Sequence, residues 1–318
     1  MRVDLDLVLG VLNGTVGDYL HRTKNGLSTP MELVQKGRPM PLDRPGLAET
    51  IVDPKPRVAL FVHGLMSTEG VWEHADGSTY GSLLAQDHAL TPLYLRYNSG
   101  LHVSENGEAL DALLGRLVES YPMPIEELVL IGHSMGGLVI RSATHAAAEK
   151  GSAWLSIVRR AFYLGTPHLG APLERFGNAL GFVLGAIGNP YTDLIAQILS
   201  LRSSGVKDLR YGNLRREDWE GADADALLQN RRHPVPLLPE IRHHLIAATL
   251  SNDPTVSMLF GDAMVTVRSA TGQARPGDRA APFSKEHVRV IPGLGHLVLA
   301  HHPEVYAQIR AWCAEEMS

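Results

Sequence analysis

Apolar and polar positions alternate along this chain in two rhythms. Short, nearly unbroken apolar runs recur: "RVALFV" (57–62), "LTPLYLRYN" (90–98), "ELVLIG" (127–132), "VRRAFYLGTP" (158–167), "HHLIAATL" (243–250) and "HVRVIPG" (287–293). They are too short for amphipathic helices and read as strands, the most apolar of them buried on both faces. Between them lie stretches with helical spacing. In Ser104 to Tyr121, Leu110, Leu113, Leu114, Leu117 and Val118 share one face, Ser104 is placed to cap, and Gly107 costs propensity. Gly136 to Lys150 is a helix that stops at Gly151, and Glu304 to Glu316 is a closing helix behind Pro303. Strands alternating with helices predict an α/β fold with a mostly parallel sheet covered on both faces.

Two segments depart from that rhythm. Residues 1–25 could form a helix ending near Asn25-Gly26, and "TPMELVQKGRPMPL" reads as a hairpin turning at Lys36-Gly37. Residues 170–242 carry the apolar run "FGNALGFVLGAIGNPYTDLIAQILSL" and show no clear strand. We read them as a helical cap inserted where strands end; the alternative is a pair of surface helices closing the sheet. The expected organisation is therefore an N-terminal helix and hairpin extension (1–56), a core (57–169 and 243–318) and a cap or lid (170–242).

Composition narrows the function classes. The chain has 318 residues, 44% hydrophobic and 20% charged, enough for a full core. Its net charge of −5, with no basic block, argues against nucleic acid as a partner. Cys313 is the sole cysteine, so no intramolecular disulfide forms. "MRVDLDLVLGVLNG" does not read as a secretory signal, and no apolar run reaches the roughly 18 residues of a membrane span. The expectation is a soluble cytoplasmic protein. The histidines are scattered without metal-type pairing to cysteine, and no carboxylate cluster demands calcium, so no cofactor or metal is expected.

Gly132-His133-Ser134-Met135-Gly136 fits G-x-S-x-G between a predicted strand and a predicted helix, the context that lifts a serine above a sheet edge. Such a tight turn needs small residues on either side, and the helix N-terminus favours a developing anion. Ser134 is the candidate nucleophile; otherwise it is a helix cap. A serine needs a base. His296 lies in a glycine-rich loop between the last strand and the last helix, whereas His301 and His302 beside Pro303 suit capping or surface roles. The imidazole needs a carboxylate from Asp253, Asp262 or Asp278, and position prefers Asp262 only slightly over Asp253. The oxyanion donors would be the N–H groups of Met135 and of Leu65 in "LFVHGLMS", with His63 shaping that loop rather than acting as base. His168 also reads as loop-shaping, and "YNSGLHVSENG" (97–107) as a polar loop leading to a helix cap.

"FVHGL", "GHSMGG", "GTPHLGAP", "GDAMVTVRSA" and "GLGHLVLAHHPEVY" together resemble the α/β-hydrolase superfamily, over roughly residues 57–316. Within it they look most like bacterial lipases and hydrolases related to GPI inositol-deacylase. The resemblance implies that Asp262, in Asp262-Ala263-Met264-Val265, is the triad acid. It supports Leu65 as second oxyanion donor and implies a mobile lid over an acyl pocket. The reading that follows is a carboxylic ester hydrolase using Ser134, His296 and Asp262 on a small-molecule acyl ester or lipid. Acyl transfer, thioester or amide hydrolysis, and a catalytically silent binding protein are the alternatives. Dehalogenation is disfavoured because the turn residue is serine. An exposed apolar cap could also drive homodimerisation.

Overall fold

A computed structural model of the chain describes residues 5–171, 203–221, 232–250, 262, 265–272 and 283–316. In chain order its main elements are α1 (Leu5–Arg22), β1 (Glu32–Gln35), β2 (Arg38–Pro39), α2 (Arg44–Thr50), β3 (Arg57–Val62), α3 (Tyr80–His88), β4 (Leu90–Arg96) and α4 (Val103–Ser120). They continue with β5 (Glu127–His133), α5 (Met135–Lys150), β6 (Val158–Leu164), α6 (Ser204–Tyr211), β7 (Arg242–Thr249), the single turn α7 (Val267–Ala270), β8 (Val288–Pro292) and α8 (Pro303–Ala314). The strands form an eight-stranded sheet in the order β2-β1-β4-β3-β5-β6-β7-β8. β3 through β8 run parallel to their neighbours, and β1 and β2 add an antiparallel edge.

The strand pattern divides the core by face. On β3, Val58, Leu60 and Val62 point into one cluster and Ala59 and Phe61 into the other, as period-two geometry requires. The first cluster is closed by α4 and α5, through residues such as Leu110, Leu114, Leu138 and Ile140. The second is closed by α3 and α8, through Tyr80, Leu84, Ile309 and Trp312. A two-sided core explains why the central strands read as unbroken apolar runs. The hairpin turns at Lys36 and Gly37, both at positive φ (50° and 76°), matching its sequence signal.

Several details differ from the sequence expectation. Ser104 does not cap α4. His102 is the cap residue: its N–H donates to the Glu105 carboxylate at 3.0 Å, and Asp208 accepts the Val103 N–H at 2.8 Å. Ser104 lies inside the helix and accepts from the Trp219 indole at 3.0 Å. Helices α2 and α3 are additional to the expected elements. Both carried usable signals: Asp43 caps α2 ahead of Pro45, and Thr79 with Ser82 forms a capping box on α3. Most of the expected cap, including the apolar run, lies outside the described residues. Within that stretch α6 is a short helix whose Asp208 is buried against the start of α4.

Four buried histidines make stability depend on pH. Burial lowers the pKa of His63 and His243 to about 4, and that of His133 and His244 to about 3. Each is neutral in the native protein but binds a proton in the unfolded chain once pH falls below the ordinary histidine value of 6.5. The unfolded state therefore takes up protons, so this stability is full above that pH and is lost as pH falls toward the native values. Urea unfolding from pH 8 to pH 4 should show a midpoint that drops steeply below roughly pH 6.5. A midpoint that is flat down to pH 5 would contradict the neutral assignment.

Candidate active site

The site is built where β3, β5 and β6 end. Ser134 joins β5 to α5 with φ 52° and ψ −122°, a conformation that an L-residue holds only at a cost of about 1–3 kcal/mol. The surroundings enforce it. The Ser134 N–H donates to Leu164 O at the end of β6, at 2.8 Å. Gly132 and Gly136 are required by close backbone approach: a Cβ on Gly132 would lie 2.6 Å from Gly137 N, and one on Gly136 would lie 2.2 Å from Val62 O. Gly136→Ala should therefore destabilise the fold by about 3 kcal/mol, since the obstructing groups, Val62 O and His63 O, are both backbone. A urea midpoint matching that of the unsubstituted chain would show that the turn can relax.

His296 follows β8 and stands beside the same strand ends. A Cβ on Gly165 would lie 3.0 Å from its Cε1. Its Nδ1 is 2.7 Å from Asp262 Oδ2, and both side chains are almost fully buried. Asp262 Oδ1 accepts the Val265 N–H at 2.7 Å, and the Asp262 carbonyl accepts the His296 N–H at 3.2 Å. The carboxylate is thus fixed at both oxygens and imposes one tautomer: Nδ1 carries the proton, and Nε2 presents its lone pair. Nε2 is buried with no hydrogen-bond partner, so no hydrogen bond joins it to Ser134. Such bonds are often long before substrate arrives. Of the other candidate acids, Asp253 and Asp278 lie outside the described residues.

The two residues expected to donate to an oxyanion, Met135 and Leu65, flank the serine turn. Met135 is the first residue of α5, so its N–H has no acceptor within the helix. Leu65 follows Gly64, where a Cβ would stand 3.0 Å from Ser134 Cβ, placing this loop directly against the serine. His63 braces the loop: Nδ1 is 2.8 Å from Gly64 O, the ring stacks on Tyr97 at 4.3 Å, and Tyr97 OH donates to His63 O at 2.8 Å. With its pKa near 4, His63 stays neutral. Ser99 Oγ accepts the Met66 N–H at 3.0 Å, and α1 closes the far side, with Met66 against Gly14.

His133 has a role that the sequence did not signal. Its Nε2 donates to the His296 carbonyl at 3.0 Å, tying the residue before the serine to the histidine backbone. Burial, with the nearby His296 ring second, drops its pKa to about 3, so it stays neutral. His301 and His302 lie apart from this cluster: His302 caps α8, and His301 Nδ1 faces Val71 O at 3.2 Å. Among the described residues, no group of three or more His, Cys, Asp or Glu side chains is placed to hold a metal.

A family model described as "Alpha/beta hydrolase family" matches residues 59–309. The chain belongs to that family. Its sheet order and helical layers are those of a hydrolase fold that solved structures share. The mature form of the Bacillus licheniformis lipase BlEst2 aligns with a TM-score of 0.52 at 17% identity, covering 90% of this chain and 99% of that one. The propeptide form of the same lipase aligns with a TM-score of 0.54 at 16% identity, covering 91% of this chain and 55% of that one. A Streptomyces coelicolor thioesterase, RedJ, aligns at 17% identity, covering 82% of this chain and 91% of that one, but its TM-score of 0.44 is too low to bear on function. At these identities the likeness is one of fold. No curated protein matches the chain. No described helix of this hydrolase is long and apolar enough to cross a membrane.

Proposed function

We propose that this hydrolase cleaves carboxylic esters, with Ser134 as nucleophile, His296 as general base and acid, and Asp262 as the carboxylate that orients the imidazole. The observation that carries the reading is the buried Asp262–His296 pair at 2.7 Å, with an unpartnered Nε2, packed at the end of β6 to which the strained Ser134 also bonds. Ser134 Oγ adds to the ester carbonyl carbon while its proton passes to His296 Nε2. The oxygen that becomes negative is held by the N–H groups of Leu65 and Met135. Collapse of the tetrahedral intermediate breaks the ester C–O bond, and His296 protonates the departing alcohol. Water then gives a proton to His296, adds to the acyl-enzyme, and releases the acid and the serine. The Asp262 carboxylate stabilises the imidazolium that forms twice.

The substrate side of the proposal is an acyl chain, because the apolar run in the sequence of residues 170–242 suits an aliphatic partner better than an aromatic one. p-Nitrophenyl esters of increasing chain length, with the matching acyl thioesters, test it. Ester hydrolysis should exceed thioester hydrolysis at each length, and kcat/KM should rise beyond butyrate by at least about tenfold, since each buried methylene contributes about 0.8 kcal/mol. Activity confined to acetate and butyrate would remove the long-chain claim. Thioester preference would move the protein to a different reaction within the same fold.

A further inference from the structure

A cavity of about 610 Å³ lies beside α5, and none of Ser134, Asp262 or His296 lines it. Its described walls come from α5, the loop after β6 (His168 and Leu169), the segment 232–241, the start of β7 and residues 283–287. Among the described residues that line it there is no aspartate or glutamate, whereas Arg141, Arg232 and Arg242 are all present. Arg242 approaches Glu315 at 3.8 Å, and Arg232 donates to His168 O at 2.7 Å.

Arg141 differs from both. It is 6% exposed, and among the described residues its hydrogen-bond partners are Val235 O at 2.5 Å and His168 Nδ1 at 3.5 Å. A guanidinium carries five donor hydrogens, and neither partner bears a charge that balances it. Burial pulls its pKa to about 10, with the Arg232 charge pulling the same way, yet it remains charged at neutral pH. An arginine only donates, so His168 Nδ1 is the acceptor and the ring proton sits on Nε2. That Nε2 is buried without a partner. His243, by contrast, is saturated, with Tyr163 OH at 2.9 Å on Nδ1 and Leu238 O at 3.1 Å on Nε2.

We propose that this cavity binds an amphiphilic monocarboxylate, its head on Arg141 and His168 and its aliphatic body along Val235, Leu238 and Phe283. Three features select that chemistry. A buried cation such as Arg141, with no balancing carboxylate among the described residues, gains most from an anion that enters with it. The flat guanidinium fork matches a planar carboxylate, and one unbalanced charge calls for one negative charge. The apolar wall and the volume suit a medium-chain aliphatic body, within the usual range of small-molecule pockets. The site is separate from the proposed ester chemistry and does not depend on it.

Titration calorimetry on the full chain carrying Ser134→Ala tests this, with octanoate, octanol and inorganic phosphate as probes. Octanoate should bind one per chain, at least about tenfold tighter than octanol or phosphate, the scale of a charge-assisted hydrogen bond. Arg141→Met should weaken octanoate by at least about tenfold and leave octanol unchanged. Leu238→Trp, which fills the cavity without altering its charge, should weaken octanoate as well, and it decides the matter if Arg141→Met does not fold. Equal binding of octanoate and octanol would overturn the proposal. So would phosphate binding as tightly as octanoate, octanoate binding unaffected by Leu238→Trp, or no binding at all.

Discussion

Replacing Ser134 with alanine is expected to lower kcat for a p-nitrophenyl ester by about 10⁴- to 10⁶-fold, with KM changed little. In the proposed mechanism the serine oxygen forms the bond that defines the acyl-enzyme, so no neighbouring group replaces it. What survives is the contribution of the backbone donors and of substrate binding. The fold should tolerate the change. Ser134 is held by its backbone, through the N–H bond to Leu164 O and the close approach at Gly136, and alanine meets the same φ of 52° that serine does. Circular dichroism and the urea midpoint should therefore match those of the parent chain while turnover is lost. Activity within tenfold of the parent would mean that the serine is only a turn residue.

Asp262→Asn is the second large effect, with an expected loss of about 10⁴-fold in kcat. An asparagine can keep the bond from the Val265 N–H at one position. At the other it presents either an amide N–H to His296 Nδ1 or a weaker neutral acceptor. The amide N–H stabilises the tautomer with the proton on Nε2, which cannot accept the serine proton. The change preserves size and most hydrogen bonding, so a kinetic loss with a retained urea midpoint would isolate the orienting role. Activity near that of the parent would return the choice of acid to Asp253 or Asp278.

The central sheet was legible because its strands are buried on both faces, so runs such as "RVALFV" and "ELVLIG" contain almost no polar residues. The turn at Ser134 was legible because its sterics admit only small residues at 132 and 136. What escaped depended on distant partners. The cap of α4 combines Glu105 with Asp208, which is more than one hundred residues away, so Ser104 looked like the cap when only neighbours were considered. The His133 bond to the His296 carbonyl spans 163 residues, and nothing adjacent to His133 announces it. Arg141 sits on a buried part of α5, and only the folded arrangement shows that its charge lacks a described carboxylate. The acid was ambiguous for a related reason: three aspartates share one inter-strand segment, and the bond from His296 to Asp262, the one of the three among the described residues, is not encoded in sequence position.

The most direct test of the account is modification of the chain with a fluorophosphonate, followed by peptide mass spectrometry. The account predicts one adduct per chain, located on Ser134. It also predicts that His296→Ala slows labelling by at least about a hundredfold, the scale of general-base assistance. An unlabelled protein, or an adduct on a different residue with Ser134 intact, would contradict it.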